Sequence, residues 1–409
     1  MSEIINILGE LLKKKDGEIS AWFSGARMNT PPFYYCSVDI RHSGRKIAPV
    51  DTNLFPAGFN NLSERNRESA ISETKKYFNK YHPDTKKILI IPENHTRNLF
   101  YLENIYVLNS IIESAGFETQ IGGLEVTTET QLETKSGKKI SIQPLILKDA
   151  HLATTKNDFI PDIVVVNNDF SSGAPPILSN IKQKLLPGIG FGWYRRRKTI
   201  HFDSYAHITN EFSHNFGIDP WLISAIFHKC GKVNFREKIG LECVALGVER
   251  VISKIQKKYN EYGVKDEPYV FVKADSGTYG MGIMTAKSGK DILEINKKSR
   301  HKMDVIKEGV TNTEVIIQEG VPTIDMVDGK TAEPMMYLIG GNPVGCSYRI
   351  NASRDAYSNL NSPGMEFQNV CEGDTEVLGS HSLCPAQGLI AKLAELAAAR
   401  ENHEIDWDI

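Results

Sequence analysis

The sequence predicts an α/β protein in which a parallel strand–helix–strand unit precedes a larger part with a strand–glycine loop–strand segment. Two observations carry that prediction. Lys87-Ile88-Leu89-Ile90-Ile91-Pro92 is a short apolar run of the kind that forms a strand buried on both faces. A polar loop follows, then a helical run from about Leu99 to Ser114, Gly116 as its C-cap glycine, and a second strand-like run from Phe117 to Ile121. Much later, the β-branched run Val270 to Val272 delivers Lys273 into a loop containing Gly277, Gly280 and Gly282, after which Ile283 and Met284 resume a strand-like pattern.

The bulk properties narrow the class. The chain has 409 residues and a formal charge of −2, which suggests two or three units with ample core. That near-neutral balance gives no reason to expect nucleic acid or an anionic membrane as partner. No apolar run approaches the roughly 18 residues that span a bilayer. No basic segment followed by an apolar core opens the chain, so a cytoplasmic location is expected. Cysteines at 36, 230, 243, 346, 371 and 384 form no C-x-x-C pair, and reduced thiols are expected rather than a disulfide framework or a zinc site.

Taken in order, Ile4, Ile5, Leu8, Leu11 and Leu12 mark an opening helix. Residues 31–62 read as an irregular segment in which aromatics alternate with Asp39, Arg41, Arg45, Lys46, Asp51, Asn53 and Asn60, a composition more typical of a binding surface than of a packed loop. Glu93-Asn94-His95-Thr96-Arg97-Asn98 lies at the carboxyl end of a predicted strand, where open α/β sheets bind ligands. Residues 125–145 read as a hairpin about Ser136-Gly137-Lys138-Lys139, and Ile163 to Val166 as another buried strand. Arg195-Arg196-Arg197-Lys198 follows three glycines and two aromatics; it suits a phosphate or carboxylate clamp, although such runs are usually solvated faces. Helices are expected over about 219–227, 237–259 and 290–300, a strand over 314–317, a β pair over 335–350, and a closing Ala/Leu-rich helix over about 387–401.

The Lys273 segment suits a polyphosphate. Glycine lets backbone N–H groups approach phosphate oxygens with no Cβ in the way, and the ammonium adds a compact positive charge. A glycine-rich hairpin with an incidental lysine is the plainer alternative. The spacing excludes the commoner nucleotide loops: no G-x-x-x-x-G-K-[ST] is present, and Gly-x-x-Gly-x-Gly reverses the order of the dinucleotide fingerprint.

This strand, lysine and glycine loop resembles the phosphate lid of ATP-grasp enzymes, glutathione synthetases in particular. Ile316-Ile317-Gln318-Glu319-Gly320-Val321-Pro322 resembles their adenine hinge. Gly340-Gly341-Asn342-Pro343-Val344-Gly345 before Arg349, and Arg354 before Asn359-Leu360-Asn361-Ser362-Pro363-Gly364, resemble their glycine hairpin, arginine and substrate loop. The wider chain resembles a bacterial glutamate–cysteine ligase family. Its marks are Ser37-Val38-Asp39-Ile40-Arg41, the run from Val50 to Leu62, Ile91 to Asn98, and Lys273 to Gly282.

The resemblance implies an ATP-grasp fold with an N-terminal Rossmann-like βαβ domain. Its units would be an N-terminal helix and polar substrate region over 1–80, a Rossmann-like part over 81–200 and the ATP-grasp domain over 201–409. It implies L-glutamate, L-cysteine and ATP as partners, Mg²⁺ as cofactor, and γ-glutamylcysteine as product through an acyl phosphate; a homo-oligomer is compatible with it. It places Lys273, Arg349 and Arg354 in catalysis. Lys273, Ser276, Gly277, Thr278, Gly280, Gly282, Gln318 and Glu319 would hold the nucleotide. Arg41, Asn53, Glu93, Asn94, Arg97, Asn359 and Asn361 would hold the amino acid. The Glu-x-Asn metal pair of glutathione synthetases has no clean copy; Glu366, Asn361 and Glu333 are the candidates, with Asn369 or the run Glu372, Asp374 and Glu376 as substitutes. Lys198 and Lys238 are candidates for a second ATP lysine. The alternatives are a glutathione synthetase or another ATP-grasp amino-acid ligase and, of a different class, a nucleotide-binding regulator without catalysis.

Overall fold

Three β-sheets divide the chain in the computed structural model, which describes residues 2–94, 97–277, 282–304, 313–369, 377–378 and 385–401. In the first, strand Lys87–Pro92 pairs in parallel with Glu118–Gly123 on one side and Ile163–Asn167 on the other. Helix Leu99–Ser114 is the crossover, so the strand–helix–strand unit forms where the apolar pattern predicts it. Asn98 starts that helix by accepting a hydrogen bond from Tyr101 N at 3.1 Å, and Gly116 takes φ +104° just beyond its end. Thr130–Glu133 pairs antiparallel with Lys139–Lys148, the predicted hairpin.

The segment 31–62 is not irregular. Tyr35–His42 and Ile47–Asn53 are strands of a second, antiparallel sheet, in the order Glu366–Gln368, Asn342–Ile350, Lys330–Ile339, Tyr35–His42, Ile47–Asn53. Cys36, Val38 and Ile40 alternate with Ser37, Asp39 and Arg41, which is the period of a strand. The charged face disguises it, because those charges are covered and ion-paired instead of solvated. Residues from the first 80 therefore share one sheet with residues 330–350, across the expected unit boundaries.

The third sheet is antiparallel throughout, in the order Phe227–Gly231, Glu314–Glu319, Val270–Ala274, Ile283–Ala286. Helix Leu241–Tyr262 covers it with Val244, Val248, Val251, Ile255 and Tyr259, one apolar stripe at helical spacing. The helix expected over 219–227 is a single 3₁₀ turn, Pro220–Ile223, followed by the edge strand Phe227–Gly231. The basic run, by contrast, leads into an unforeseen helix, Lys198–Phe216, which buries Phe202, Tyr205, Ile208 and Phe212. Cys230 and Cys243 are paired as a disulfide, with Cα atoms 6.7 Å apart, where reduced thiols were expected; the pairing joins an edge strand to a helix start, a proximity that sequence spacing does not display. Cys36 and Cys346 are buried. The closing helix, Pro385–Arg400, is buried on nearly all sides between the second sheet and helix Lys198–Phe216. No helix of the described residues is long and apolar enough to cross a membrane.

Candidate active site

The second and third sheets face each other across a cleft, and alternation along the strands decides which side chains reach it. Asp39 and Arg41 share a face of Tyr35–His42. Glu333 stands on the next strand, directly opposite Arg349 on the one beyond, and Asp51 stands directly opposite Asp39. Arg41 Nε donates to Glu333 Oε2 at 2.8 Å. Arg349 Nη1 donates to Glu333 Oε1 at 2.6 Å and to Asp39 Oδ2 at 2.8 Å. Burial pushes the Glu333 carboxyl up, but the guanidiniums of Arg41 and Arg349 outweigh it and hold its pKa below the ordinary value. Asp39 goes the other way: burial raises it and Arg349 offsets only part of the rise. Arg41 also donates to the Ser358 carbonyl at 2.6 Å, which ties this wall to the loop carrying Asn359 and Asn361.

The opposite wall is built on Val270–Ala274. Lys273 is 8% exposed and its Nζ donates to two neutral acceptors, Gln318 Oε1 at 2.7 Å and the Val50 carbonyl at 3.1 Å. Burial pulls its pKa down to about 8; Asp51 opposes that pull, and Lys198 and Arg41 add to it. Asp275, two residues on, ties the start of the glycine loop to the start of helix Lys198–Phe216. Its carboxylate accepts from Thr199 N at 2.8 Å and Thr199 Oγ1 at 2.7 Å, and its carbonyl accepts from Lys198 N at 2.7 Å. That tie sets Lys198, whose Nζ donates to Asp51 Oδ1 at 2.7 Å and lies 4.4 Å from the centre of the Trp193 ring. Gly277 takes φ +95°, a conformation that a side chain would strain.

Among the described residues, four cations, Arg41, Lys198, Lys273 and Arg349, and three carboxylates, Asp39, Asp51 and Glu333, line this cleft with Phe271, Gly277, Ile283, Asn359 and Asn361. Several residues expected at the site thus meet there: Lys273, Gly277, Arg41, Arg349, Glu333, Asn359 and Asn361. Lys198 joins them; the other candidate lysine, Lys238, lies in the turn after Asn234 and does not. Gln318 sits behind Lys273 as its acceptor. Glu319 turns away: its oxygens accept from Trp221 Nε1 at 3.0 Å and Ile226 N at 2.9 Å, and Lys46 Nζ is 2.8 Å away. Gly282 closes the base of the loop by accepting from Ala274 N at 3.0 Å, and Ser276 precedes Gly277.

Other expected residues lie outside the cleft lining. Asn53 shapes its own turn with Phe55, and Glu93, Asn94 and Arg97 follow the end of the parallel strand Lys87–Pro92. Arg354 is exposed, with Nε donating to Ser362 Oγ at 3.0 Å. Glu366 is exposed, and Lys330 Nζ lies 3.9 Å from it. The expected metal set of Glu366, Asn361 and Glu333 is therefore split between the cleft and the surface, and no group of three or more His, Cys, Asp or Glu among the described residues could hold a metal. Thr278, Gly280 and the run Glu372, Asp374 and Glu376 lie outside the described residues. Asp39 and Asp51 belong to the segment read as a binding surface but have no individual role in that reading; the missing signal is the cross-strand register that sets them opposite one another.

No curated protein sequence matches this chain. Among solved structures, a protein of Methylobacillus flagellatus KT, provisionally named a gamma-glutamylcysteine synthetase, superposes with a TM-score of 0.89 at 40% identity, covering 99% of this chain and 97% of that one. D-alanyl-alanine synthetase A of Vibrio cholerae O1 biovar eltor gives a TM-score of 0.37 at 14% identity, over 76% of this chain and 81% of that one. A glutathione synthetase-like effector of Globodera pallida gives 0.42 at 9% identity, over 88% and 79%. Likeness at those last two levels carries no conclusion. A sequence model of the glutamate-cysteine ligase family, GshA, matches residues 10–402. By that match, and by 40% identity to its structural relative over nearly the whole length, the chain belongs to the glutamate-cysteine ligase family.

Proposed function

We propose that this chain joins the γ-carboxylate of L-glutamate to the amine of L-cysteine, converting ATP to ADP and phosphate, and that it does so in the cleft between its two antiparallel sheets on an ATP-grasp framework. In this reading the parallel sheet is a Rossmann-like N-terminal unit and the enzyme is cytoplasmic. The observation that carries the site assignment is Lys273: an almost fully buried ammonium at the mouth of a glycine loop, with only neutral hydrogen-bond partners and more cations than carboxylates around it among the described residues. Burying a cation without a countercharge is unfavourable, so a polyanion is the natural occupant.

The chemistry requires positioning and charge neutralisation. A carboxylate cannot acylate an amine in water until its oxygen is converted to a leaving group. The γ-carboxylate oxygen attacks the γ-phosphorus of ATP and ADP leaves. The amine nitrogen then attacks the acyl carbon, the C–O bond to phosphate breaks, and the ammonium proton is lost. Lys273 and Lys198 neutralise the phosphates, and the loop beginning at Gly277 gives them backbone donors. Arg349 Nε has no hydrogen-bond partner among the described residues and is the donor left over for a substrate carboxylate. Arg354, exposed on the loop that also carries Asn359 and Asn361, is assigned to the transferring phosphoryl group.

The donor chemistry of the cleft fits Mg²⁺. Asp39 Oδ1 and Asp51 Oδ2 have no hydrogen-bond partner among the described residues, and with Asn361 they supply the hard oxygen ligands that this ion takes. When bound there, Mg²⁺ would supply countercharge to the triphosphate.

Phosphate release with paired substrates tests the reading. Release that requires glutamate and cysteine together is the expected result. Release with γ-glutamylcysteine and glycine, and none with glutamate and cysteine, overturns it in favour of the second step of glutathione synthesis.

A further inference from the structure

Outside the cleft lining, Arg196, His201 and Glu401 form a cluster of buried charge that the proposed chemistry does not use. Glu401 is 0% exposed and follows the closing helix Pro385–Arg400. Arg196 meets it with two parallel hydrogen bonds, Nε to Oε2 and Nη2 to Oε1, both 2.9 Å. His201 Nδ1 lies 2.6 Å from Glu401 Oε1. The remaining arm of Arg196, Nη1, donates to the Thr52 carbonyl at 2.7 Å. Thr52 follows Asp51, and Lys198, two residues after Arg196, holds Asp51 in the cleft. Arg196 and Lys198 also lie over the same Trp193 ring, 5.1 and 4.4 Å from its centre.

We propose that Glu401 is a positioning residue for the ATP end of the cleft, holding Arg196 away from Asp51 so that Lys198 keeps that carboxylate as its partner. The inference rests on the reading of Lys198 as a phosphate-binding group. Its physical basis is competition for a countercharge. A planar guanidinium takes a carboxylate with paired donors, which a lysine cannot do. With Glu401 neutralised, Arg196 stays buried and charged, and Asp51 is the carboxylate beside it. If Arg196 turns to Asp51, Lys198 is displaced and the backbone at Thr52 loses its donor. Glu401 also holds His201, and of its two partners it is Arg196 that reaches the backbone beside Asp51.

The test compares Glu401→Gln, Lys198→Ala, the double variant and Leu393→Ala, a core truncation within the closing helix, at temperatures where each is folded by circular dichroism. For Glu401→Gln the expected result is a rise of about tenfold in the KM for ATP, with the KM for glutamate changed by less than about twofold. In the Lys198→Ala background the same substitution should add nothing further to the ATP KM. Glu401→Asp, which keeps the charge, should move the ATP KM in the same direction by less, and it serves as the reading if Glu401→Gln does not fold. Equal changes in both KM values, matching Leu393→Ala, or an independent effect in the Lys198→Ala background, would overturn the proposal. An unchanged ATP KM in Lys198→Ala alone would overturn the phosphate reading of Lys198 itself, and the inference with it.

Discussion

The two walls of the cleft carry charge in opposite ways. On the second sheet, Arg41, Glu333, Arg349 and Asp39 hold one another in a chain of hydrogen-bonded pairs. On the third, Lys273 has carbonyl oxygens for company and a pKa pulled down to about 8, chiefly by burial. The charges of the first wall balance one another and leave only single atoms, such as Arg349 Nε, for a ligand; the charge of Lys273 on the second has no such partner. Where opposite charges are already matched, their role is to fix shape and register. Where a buried charge is left unmatched, the missing partner has to arrive from solution.

The comparison can be broken most forcefully at Glu333. Glu333→Ala leaves two buried guanidiniums without their shared carboxylate, and should cost about 3–5 kcal/mol of folding stability in denaturant titration. A loss below about 1 kcal/mol would mean that this wall is not organised by its ion pairs.

Lys273→Ala should behave in the reverse manner. Removing an uncompensated buried ammonium is expected to leave the melting temperature unchanged or higher, while kcat/KM for ATP falls about 10²–10³-fold. A melting temperature that drops with the activity, as for Glu333→Ala, would make the two walls alike.

A pH series sharpens the same point without a large perturbation. In the proposed reading it is the protonated form of Lys273 that binds phosphate, and burial, against the pull of Asp51, brings its pKa to about 8. ATP affinity should therefore hold below pH 8 and weaken above it, approaching about tenfold per pH unit. Calorimetry in two buffers of different ionisation enthalpy should show protons taken up on binding near pH 8. Lys273→Arg should lose both effects, because a guanidinium stays charged throughout. A flat profile in the parent would place the titrating group elsewhere.

The smallest effect is expected at Glu366, which is exposed, with Lys330 Nζ 3.9 Å away. Glu366→Ala should change stability by less than about 0.5 kcal/mol and leave the proposed Mg²⁺ dependence of turnover as in the parent. A clear shift in the Mg²⁺ titration would bring Glu366 back among the metal ligands.

What the sequence made legible follows the range of each signal. Lys273 and its glycines are neighbours in the chain, so a fourteen-residue window contained them. The parallel strands announced themselves as apolar runs because both their faces are covered. Asp39 and Asp51 stayed silent because what matters about them is that they face each other, and register between strands is written in no single stretch. The helix Lys198–Phe216 was hidden behind four cations, although Phe202, Tyr205, Ile208 and Phe212 recur at helical spacing. A hinge motif can place Glu319 along the chain, but the direction of its carboxylate is set by Trp221 and Lys46, far away in sequence.

Strand Tyr35–His42 hydrogen-bonds to Lys330–Ile339, and that pairing has a consequence for the birth of the protein. A ribosome delivers Asp39 and Arg41 long before it delivers Glu333 and Arg349. During that interval the early charges remain in water, and the strand that carries them has an unmatched edge. Such an edge is open to pairing with other chains. The cleft is thus among the last parts of the fold that a growing chain can complete, and no fragment that ends before Arg349, however well folded elsewhere, contains that wall.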